Sequence, residues 1–284
     1  DEVSAAAAAF DESWAGIDDV VQRQVPVGLD ELVARAARLT RVDRKYLVPA
    51  EEAAALLHDL GARTRVLQVE GERRFPYVSV YHDTLDLHCY RSAAQRRRRR
   101  FKVRQRCYLD SGDTFVEVKT RGARRATVKQ RAASRRLGVL DAADRGFVRD
   151  VLGSQGIDAS VRELRPVLTT QYVRTTLLLP EDAARLTLDT GLTWTAPDGA
   201  LARTRLVVVE TKGGASASVA DRLLRQRGHR PVRLSKFGTG LALLDDDLPA
   251  HKWHRTVRRL SEPAPPPLRL SAVRPLLSPD GIPS

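Results

Sequence analysis

The chain has 284 residues, of which 42% are hydrophobic and 29% are charged. This composition is that of an ordinary globular protein and excludes a disordered, collagen-like or coiled-coil chain. The 48 Lys and Arg residues outnumber the 35 Asp and Glu residues, giving a net charge of +13, which indicates a polyanionic partner.

Cysteine content and hydropathy bear on the compartment. Cys89 and Cys107 are too few for a disulfide framework and form no C-x-x-C pair, which favours a reducing environment. No run reaches the ~18 apolar residues that a membrane helix needs. The apolar run 5–10 follows acidic residues, unlike the basic start of a secretory signal. We therefore expect a cytoplasmic protein without a transmembrane segment of its own.

Helical patterns occur at the start of the chain and recur later. Apolar residues at helical spacing behind Gly28 predict a helical segment over 1–38. Pro49, followed by Glu51 and Glu52 and ending at Gly61, predicts a short second helix, because acidic residues in the first turn favour the helix dipole. Further helices are predicted near 141–152, 218–228 and 251–260.

Short segments of alternating apolar and polar residues predict strands. They lie at 41–48, 77–82, 100–108, 114–121, 126–132, 168–177, 185–192, 202–212 and 232–236. About nine antiparallel strands indicate a barrel or a strongly curved sheet. Prolines beyond residue 262 predict an extended or mobile tail. The domain boundaries expected from this pattern are 1–38 for the helical segment, 39–247 for the main domain, and 248–284 for a basic helix and the proline-rich tail.

Polar and charged side chains of these strands collect on one face when residues are sorted by alternation. Taken alone, each strand is better explained by a solvated charged face on a half-exposed sheet. Like charges that lie opposite one another on neighbouring strands destabilise a sheet, however. Because most of the charges that face one another here are positive, we expect an anion to bind between them. The set comprises Arg100, Lys102, Arg104 and Arg106, then Glu117, Lys119 and Arg121, then Thr127, Lys129 and Arg131, then Tyr172, Arg174, Arg185, Thr187, Asp189, Glu210 and Lys212.

Lysine usage and the acidic residues on this face carry further information. The chain has seven lysines against 41 arginines, and six of the seven fall in predicted strands. A compact ammonium group suits a phosphate as a point charge. The acidic residues Asp43, Glu117, Asp189 and Glu210 either neutralise adjacent cations or hold a hard divalent cation together with phosphate oxygens and water. Glu210 and Glu117 are the first candidates for such a ligand.

Six motifs in order resemble a known family. They are RVDRKY at 41–46, YHDT at 81–84, RFKVRQRCY at 100–108, VEVK at 116–119, VETKG at 209–213 and SKFG at 235–238. Together they resemble the polyphosphate polymerase (VTC) domain of the vacuolar transporter chaperone family, within the CYTH-like triphosphate tunnel metalloenzymes. The resemblance runs from about residue 39 to residue 244.

The resemblance implies an α+β fold with a closed antiparallel eight-stranded β-barrel, capping helices and a basic tunnel. It implies a Mn²⁺ or Mg²⁺ cofactor with Glu210, Glu117 and Asp189 as metal ligands. The implied catalytic residues are Lys119, Arg104, Arg106 and Lys236. The implied phosphate-binding residues are Lys45, Lys129, Arg131, Arg174, Arg185, Lys212, Lys102, Tyr172 and Ser235.

The implied activity is that of a metal-dependent polyphosphate polymerase, which transfers the terminal phosphate of ATP to a growing polyphosphate chain and releases ADP. ATP, triphosphate and polyphosphate would be its partners, and coupling to transport would require a membrane-protein partner. The wider tunnel family begins with E-x-E-x-K, whereas Arg41, Asp43 and Lys45 occupy these positions here, which favours the polymerase branch. The sequence contains no nucleophile elbow, Walker A loop or H-E-x-x-H motif, each of which would indicate a different chemistry.

Three alternatives remain at this point. A tunnel hydrolase of inorganic or nucleoside triphosphate would use water as the acceptor, and an inactive relative would bind phosphate without turnover. A nucleic-acid-binding module is favoured by the net charge and by the arginine run 96–100. Against that module, aromatic residues make up only 5% and no RRM, KH or zinc-finger pattern occurs. We therefore expect nucleic acid not to be the partner.

Overall fold

A computed structural model describes residues 14–36, 42–121, 127–158 and 161–261. The helices in chain order are α1 (Ala15–Arg23), α2 (Leu29–Ala36), α3 (Ala50–Leu60), α4 (His88–Ala94), α5 (Ala142–Ser154), α6 (Val219–Gln226), α7 (Lys236–Leu244) and α8 (His254–Ser261). The strands are β1 (Val25–Val27), β2 (Val42–Val48), β3 (Arg65–Leu67), β4 (Phe75–Asp83), β5 (Arg100–Tyr108), β6 (Thr114–Arg121), β7 (Thr127–Ala133), β8 (Arg165–Leu179), β9 (Ala184–Thr195), β10 (Leu201–Arg203) and β11 (Val207–Gly213).

One sheet of eleven strands organises the fold. Its main path runs β2-β11-β9-β8-β4-β5-β6-β7, and every ladder on that path is antiparallel. The short strand β1 pairs in parallel with β3, β3 also pairs with β8, and β10 pairs with β9. The α+β class predicted from the sequence is confirmed.

The prediction of a closed eight-stranded barrel is wrong in two respects. The sheet has eleven strands, and in the described part of the chain no ladder joins its end strands β2 and β7. Three short strands extend the sheet: β3 pairs with β8, β10 pairs with β9, and β1 pairs with β3. Alternation specifies which face of a strand is buried, but it does not specify whether the two end strands meet.

Strand bounds follow the sequence closely in most places. The bounds of β5 and β6 coincide with the predicted segments 100–108 and 114–121. The predicted segment 202–212 is divided into β10 and β11, with a turn in which Leu206 N donates to Thr204 Oγ1 at 3.0 Å.

The predicted strand 232–236 is wrong. Residues 230–235 form no regular element, and Lys236 begins α7 instead. The side chain of Ser235 accepts a hydrogen bond from Gly238 N at 3.1 Å and so caps this helix, as serine at an N-cap does. Val232 and Leu234 alternate with polar residues, which is the pattern of a strand and explains the wrong prediction.

Helices cover the outer, apolar face of the sheet. Apolar residues of α1, α3 and α6, including Ile17, Leu57 and Leu224, pack in one core with Tyr46 and Val209 of the sheet. A second core joins α5 to the outer faces of β5 and β6 and also contains α7. With their apolar sides covered in this way, β5 and β6 turn their charged sides inward.

Close packing fixes the position of α7. A Cβ atom added at Gly238 would meet the ring of Trp253 at 2.3 Å, and one at Gly240 would meet Trp194 at 2.1 Å. The Nε1 atom of Trp194 also donates a hydrogen bond of 2.8 Å to Lys236 O. The first turn of α7, with Ser235 and Lys236, is therefore held in one place.

Some sequence predictions fall beyond these observations. The proline-rich tail over 263–284 lies outside the described residues, and the domain boundaries stay predictions.

Cys89 and Cys107 are not joined to each other or to another cysteine. Among the described residues, no helix combines the length and the apolar character required to cross a bilayer.

Candidate functional site

A cavity of about 690 Å³ is surrounded by the sheet. Residues of both end strands, Asp43 and Lys45 from β2 and Lys129 and Arg131 from β7, contribute to its wall together with seven other strands and the start of α7. Among the described residues, the wall contains eleven basic side chains and four carboxylates, those of Asp43, Asp113, Glu117 and Glu210. The basic side chains are Lys45, Lys102, Arg104, Arg106, Lys119, Lys129, Arg131, Arg174, Arg185, Lys212 and Lys236.

All thirteen residues predicted from the sequence to be catalytic or phosphate-binding lie in this wall, including Tyr172 and Ser235. Six of the seven lysines of the chain line it as well. Of the three predicted metal ligands, Glu117 and Glu210 line the cavity, whereas Asp189 lies behind it. The structure thus brings the predicted residues together, and their roles stay predictions.

Strand register explains how the cations come to face one another. On the β5–β6 ladder Lys102 pairs with Lys119, and on the β6–β7 ladder Lys119 pairs with Lys129. Each of these positions alternates with an apolar residue on the outer face, such as Val103 or Val118, both of which are buried. Like charges side by side destabilise a sheet, so three adjacent ammonium groups favour a bound anion.

Two buried carboxylates neutralise part of this charge. Glu117, which is 3% exposed, accepts hydrogen bonds from Arg104 Nε at 2.5 Å and Lys129 Nζ at 2.7 Å. On β11, Glu210 pairs with Lys45 and with Lys212, the latter at 3.5 Å. Burial alone would raise the pKa of each carboxyl, but the adjacent cations outweigh it and lower both pKa values to about 2.

Asp189 serves as an internal counter-ion. Its carboxylate is fully buried and accepts hydrogen bonds from Arg174 Nε at 2.6 Å and Arg174 Nη2 at 2.8 Å, and it also pairs with Lys236. Burial would raise its pKa, but the charges of Arg174 and Lys236 lower the pKa below its ordinary value. Asp189 therefore holds two cavity cations in position from behind.

Aromatic rings support the cations from the side. The guanidinium of Arg106 lies 5.2 Å from the ring centroid of Tyr77, and that of Arg131 lies 4.8 Å from Phe115. The ammonium of Lys236 lies 4.3 Å from the ring of Tyr172. Such cation–π contacts restrain long side chains. Tyr77 and Phe115 were missed by the sequence analysis, although alternation along their strands places them on the inward face.

Two hydroxyl groups in the wall have no partner in the described structure. Tyr172 is fully buried and Thr187 is 2% exposed, and neither hydroxyl makes a hydrogen bond there. Buried polar groups are nearly always hydrogen-bonded, so these two indicate where a ligand oxygen would lie. Thr187 was sorted onto the charged face by alternation but was not among the predicted site residues.

Lys102 is the most strongly perturbed ammonium group of the wall. Burial, followed by the charges of Lys119 and Lys252, lowers its pKa to about 7. Burial also lowers the pKa of Lys129 to about 8, helped by Arg104. A phosphate in the cavity would favour the charged forms, because an adjacent opposite charge raises the pKa of an ammonium group.

The carboxylates of the site limit which kind of metal ion could bind there. In the described ranges, no three His, Cys, Asp or Glu side chains form a group that could hold one. Glu117, Glu210 and Asp189 each face two cations instead. The donor set therefore fits only a cation that takes most of its ligands from phosphate oxygens and water, with Glu210 or Glu117 as a single protein ligand.

The chain was compared with protein-family models, curated proteins and solved structures. No match was found among curated proteins. The solved structures that resemble the chain include a candidate adenylate cyclase from Bacillus halodurans (16% identity, 69% of this chain and 94% of that chain, TM-score 0.45) and a candidate adenylyl cyclase from Hippeastrum with a dominant triphosphatase activity (14% identity, 75% of this chain and 100% of that chain, TM-score 0.45). A family model described as the VTC domain matches residues 40–245, which is more than half of the sequence. The chain therefore belongs to the VTC domain family.

Proposed function

We propose that the protein is a polyphosphate polymerase, which transfers the terminal phosphoryl group of ATP to a growing polyphosphate chain and releases ADP. The observation that carries the proposal is the cavity wall with eleven basic side chains against four carboxylates among the described residues. The positive charge of this wall complements the negative charge of a linear phosphate chain. Membership of the VTC domain family supports the same function.

The proposed step needs little covalent chemistry from the protein. An oxygen of the terminal phosphate of the acceptor attacks the γ-phosphorus of ATP, and the bond from that phosphorus to the β–γ bridging oxygen breaks. Arg104, Arg106 and Lys119 would hold the equatorial oxygens, and Lys236 would offset charge on the departing ADP. Positioning and charge stabilisation dominate such transfers.

A divalent ion, Mn²⁺ or Mg²⁺, would supply further neutralisation of phosphate charge when it is bound. Glu210 or Glu117 would contribute one oxygen ligand to it. The side chains of the wall bind and orient the phosphates, and the unpartnered hydroxyls of Tyr172 and Thr187 would donate hydrogen bonds to phosphate oxygens.

The low pKa values of the buried carboxylates support phosphate rather than water as the proposed acceptor. Glu117 and Glu210 have pKa values of about 2, which makes them weak general bases. Water as the acceptor benefits from a base with a pKa near the working pH. A terminal phosphate oxygen is already an anion and needs none.

The experiment incubates the purified protein with ATP and either Mn²⁺ or Mg²⁺, and it measures ADP, orthophosphate and polymer length together. We expect ADP release to equal the phosphate incorporated into polymer. Arg106→Gln should abolish both, whereas Arg222→Gln, at an exposed position on α6, should change neither. ADP matched only by orthophosphate would replace the proposal with hydrolysis.

A binding experiment addresses the remaining alternatives. Tight binding of polyphosphate without ADP formation would identify an inactive binding module. Competition with RNA tests the nucleic-acid alternative: polyphosphate should displace RNA, and stronger retention of RNA would contradict the proposal.

A further inference from the structure

A row of basic residues continues beyond the cavity. Arg100 and Arg121 are register partners at the end of the β5–β6 ladder, two residues away from the paired Lys102 and Lys119. Residues two apart on a strand share a face, so Arg100 and Arg121 extend the charged face of the wall. Neither lies in the cavity lining. The row of positive charge therefore leaves the cavity at this side.

Lys252, Arg96 and Arg233 lie near the end of this row. Lys252 Nζ donates a hydrogen bond of 2.9 Å to Ala93 O and lies 5.0 Å from the ring centroid of Trp253, which fixes its position. Burial and then the charges of Arg100, Arg96, Arg121 and Arg233 lower the pKa of Lys252 to about 8.

We call Arg96, Arg100, Arg121, Arg233 and Lys252 the basic strip. Lys252 also acts electrostatically on Lys102 inside the cavity, and Arg233 precedes the cavity residue Leu234. The strip is therefore contiguous with the cavity.

The charges of the basic strip lack the counter-ions that the cavity has. Within the described parts of the chain, none of its five residues forms an ion pair, although other cations of the molecule do. Arg96 and Arg233 are exposed, and the other three are partly exposed. Gathering five like charges costs free energy, and a polyanion would offset that cost.

We propose that the basic strip binds the segment of a linear polyphosphate chain that extends out of the cavity. This inference rests on the proposed function and adds a second binding surface to it. Each phosphate of such a chain carries negative charge, so a chain long enough to leave the cavity meets further cations at Arg100 and Arg121. Affinity therefore grows with chain length beyond what the cavity alone accommodates.

The contents of the strip favour polyphosphate over RNA. Proteins that bind single-stranded nucleic acid usually present aromatic rings on which bases stack. The ring beside the strip, that of Trp253, is 2% exposed and already covered. Continuity with Lys102 and Lys119 also aligns the strip with a ligand that threads from the cavity.

The test compares tripolyphosphate, which probes the cavity, with long-chain polyphosphate. A triple variant carries Arg100→Gln, Arg121→Gln and Lys252→Gln. The matched control carries Arg23→Gln, Arg222→Gln and Arg225→Gln, which removes equal charge from exposed positions on α1 and α6. Dissociation constants are measured by calorimetry at several salt concentrations, and folding is verified by circular dichroism.

We expect the wild-type protein and the control to bind the long chain more tightly than tripolyphosphate. The triple variant should lose about tenfold or more in long-chain affinity, and its salt slope for the long chain should fall by about three, since each lost contact removes about one. The loss for tripolyphosphate should be much smaller. If the triple variant does not fold, Arg96→Gln with Arg233→Gln, both at exposed positions, tests the same expectation.

Equal losses for both ligands, or an unchanged preference for the long chain, would overturn the basic strip as a polyphosphate site. Failure of the wild-type protein to bind tripolyphosphate would instead refute the proposed function. RNA and vesicles containing phosphatidylserine are included as competitors and should not displace the long chain. If either binds through the strip residues while long-chain affinity is unaffected, the strip serves that partner and the inference is wrong.

Discussion

The Nζ atom of Lys102 donates a hydrogen bond of 2.7 Å to the Oγ atom of Ser235, so a strand of the cavity wall is joined to the cap of α7. The same oxygen accepts a hydrogen bond from Gly238 N at 3.1 Å. Both lone pairs of Ser235 are thereby used, and its hydroxyl proton is left to donate to a phosphate oxygen. A phosphate held by this hydroxyl would therefore respond to the charge state of Lys102.

Lys102 predicts a dependence of ligand affinity on pH. Its pKa of about 7 means that the ammonium loses its proton as pH rises through neutrality. We expect tripolyphosphate affinity to fall between pH 6.5 and 8.5 more steeply in the wild-type protein than in Lys102→Met, as measured by calorimetry. Parallel profiles of the two proteins would show that Lys102 does not titrate in this range.

Lys102 also predicts how the free energy of unfolding of the ligand-free protein changes with pH. Because the pKa of Lys102 is lower in the folded state than the ordinary 10.5, the unfolded chain binds more protons between these pH values. The contribution of Lys102 to the free energy of unfolding should therefore rise with pH from about 7 to about 10. Denaturant unfolding of the wild type and Lys102→Met gives this difference, and a contribution that falls over that window would contradict it.

Lys119 offers a substitution that separates binding from folding. It forms no ion pair in the described structure, and burial together with the charges around it lowers its pKa. Lys119→Ala should leave the thermal midpoint unchanged or raise it, because it relieves repulsion with Lys102 and Lys129. Tripolyphosphate affinity should fall about tenfold, the value of one charged hydrogen bond. A lower midpoint with unchanged affinity would assign Lys119 a structural role.

Glu117 should behave as a counter-ion that a ligand can replace. Glu117→Gln leaves Arg104 and Lys129 without their carboxylate and should lower the free energy of unfolding by about 2 kcal/mol. This is less than the usual cost of breaking a buried pair, because Lys129 is 46% exposed. Tripolyphosphate should then raise the thermal midpoint of the variant more than that of the wild type.

The surface pair of Glu52 and Arg227 supplies the control for Glu117. Glu52→Gln should change stability by less than about 1 kcal/mol, since both side chains are partly exposed. It should also leave the response to tripolyphosphate unaltered. A Glu117→Gln protein that tripolyphosphate stabilises no more than the wild type would contradict the counter-ion role.

The packing of α7 against Trp194 predicts that Gly240→Ala destabilises the fold, although alanine favours a helix more than glycine does. Gly240→Ala would place a methyl group against the ring of Trp194 and should destabilise the fold by about 1–3 kcal/mol, the typical cost of overpacking. Gly146→Ala in α5 meets nothing within 4 Å and should stabilise by about 0.5–1 kcal/mol, because alanine favours helix. Chemical denaturation measures both, and equal signs would refute the packing argument.

The sequence located the strands of the site with few errors. The alternation along β5 and β6 gave their bounds and placed Arg104 and Glu117 on the inward face, because side-chain direction in a strand depends only on local position. The errors occurred where local pattern and tertiary context differ. The segment before Lys236 alternates like a strand, but the capping hydrogen bond of Ser235 to Gly238 begins a helix there.

The sequence by itself determined the family, the α+β class and the set of charged residues that share a face, since these depend on motif order and on a period of two residues. Only the tertiary structure decided that β2 and β7 form no ladder within the described residues, that Asp189 lies behind the wall with Arg174 and Lys236, and that Arg100 and Arg121 continue the row outside the cavity. These relationships join residues far apart in the chain, and their energies depend on strand register and burial, which no local pattern specifies.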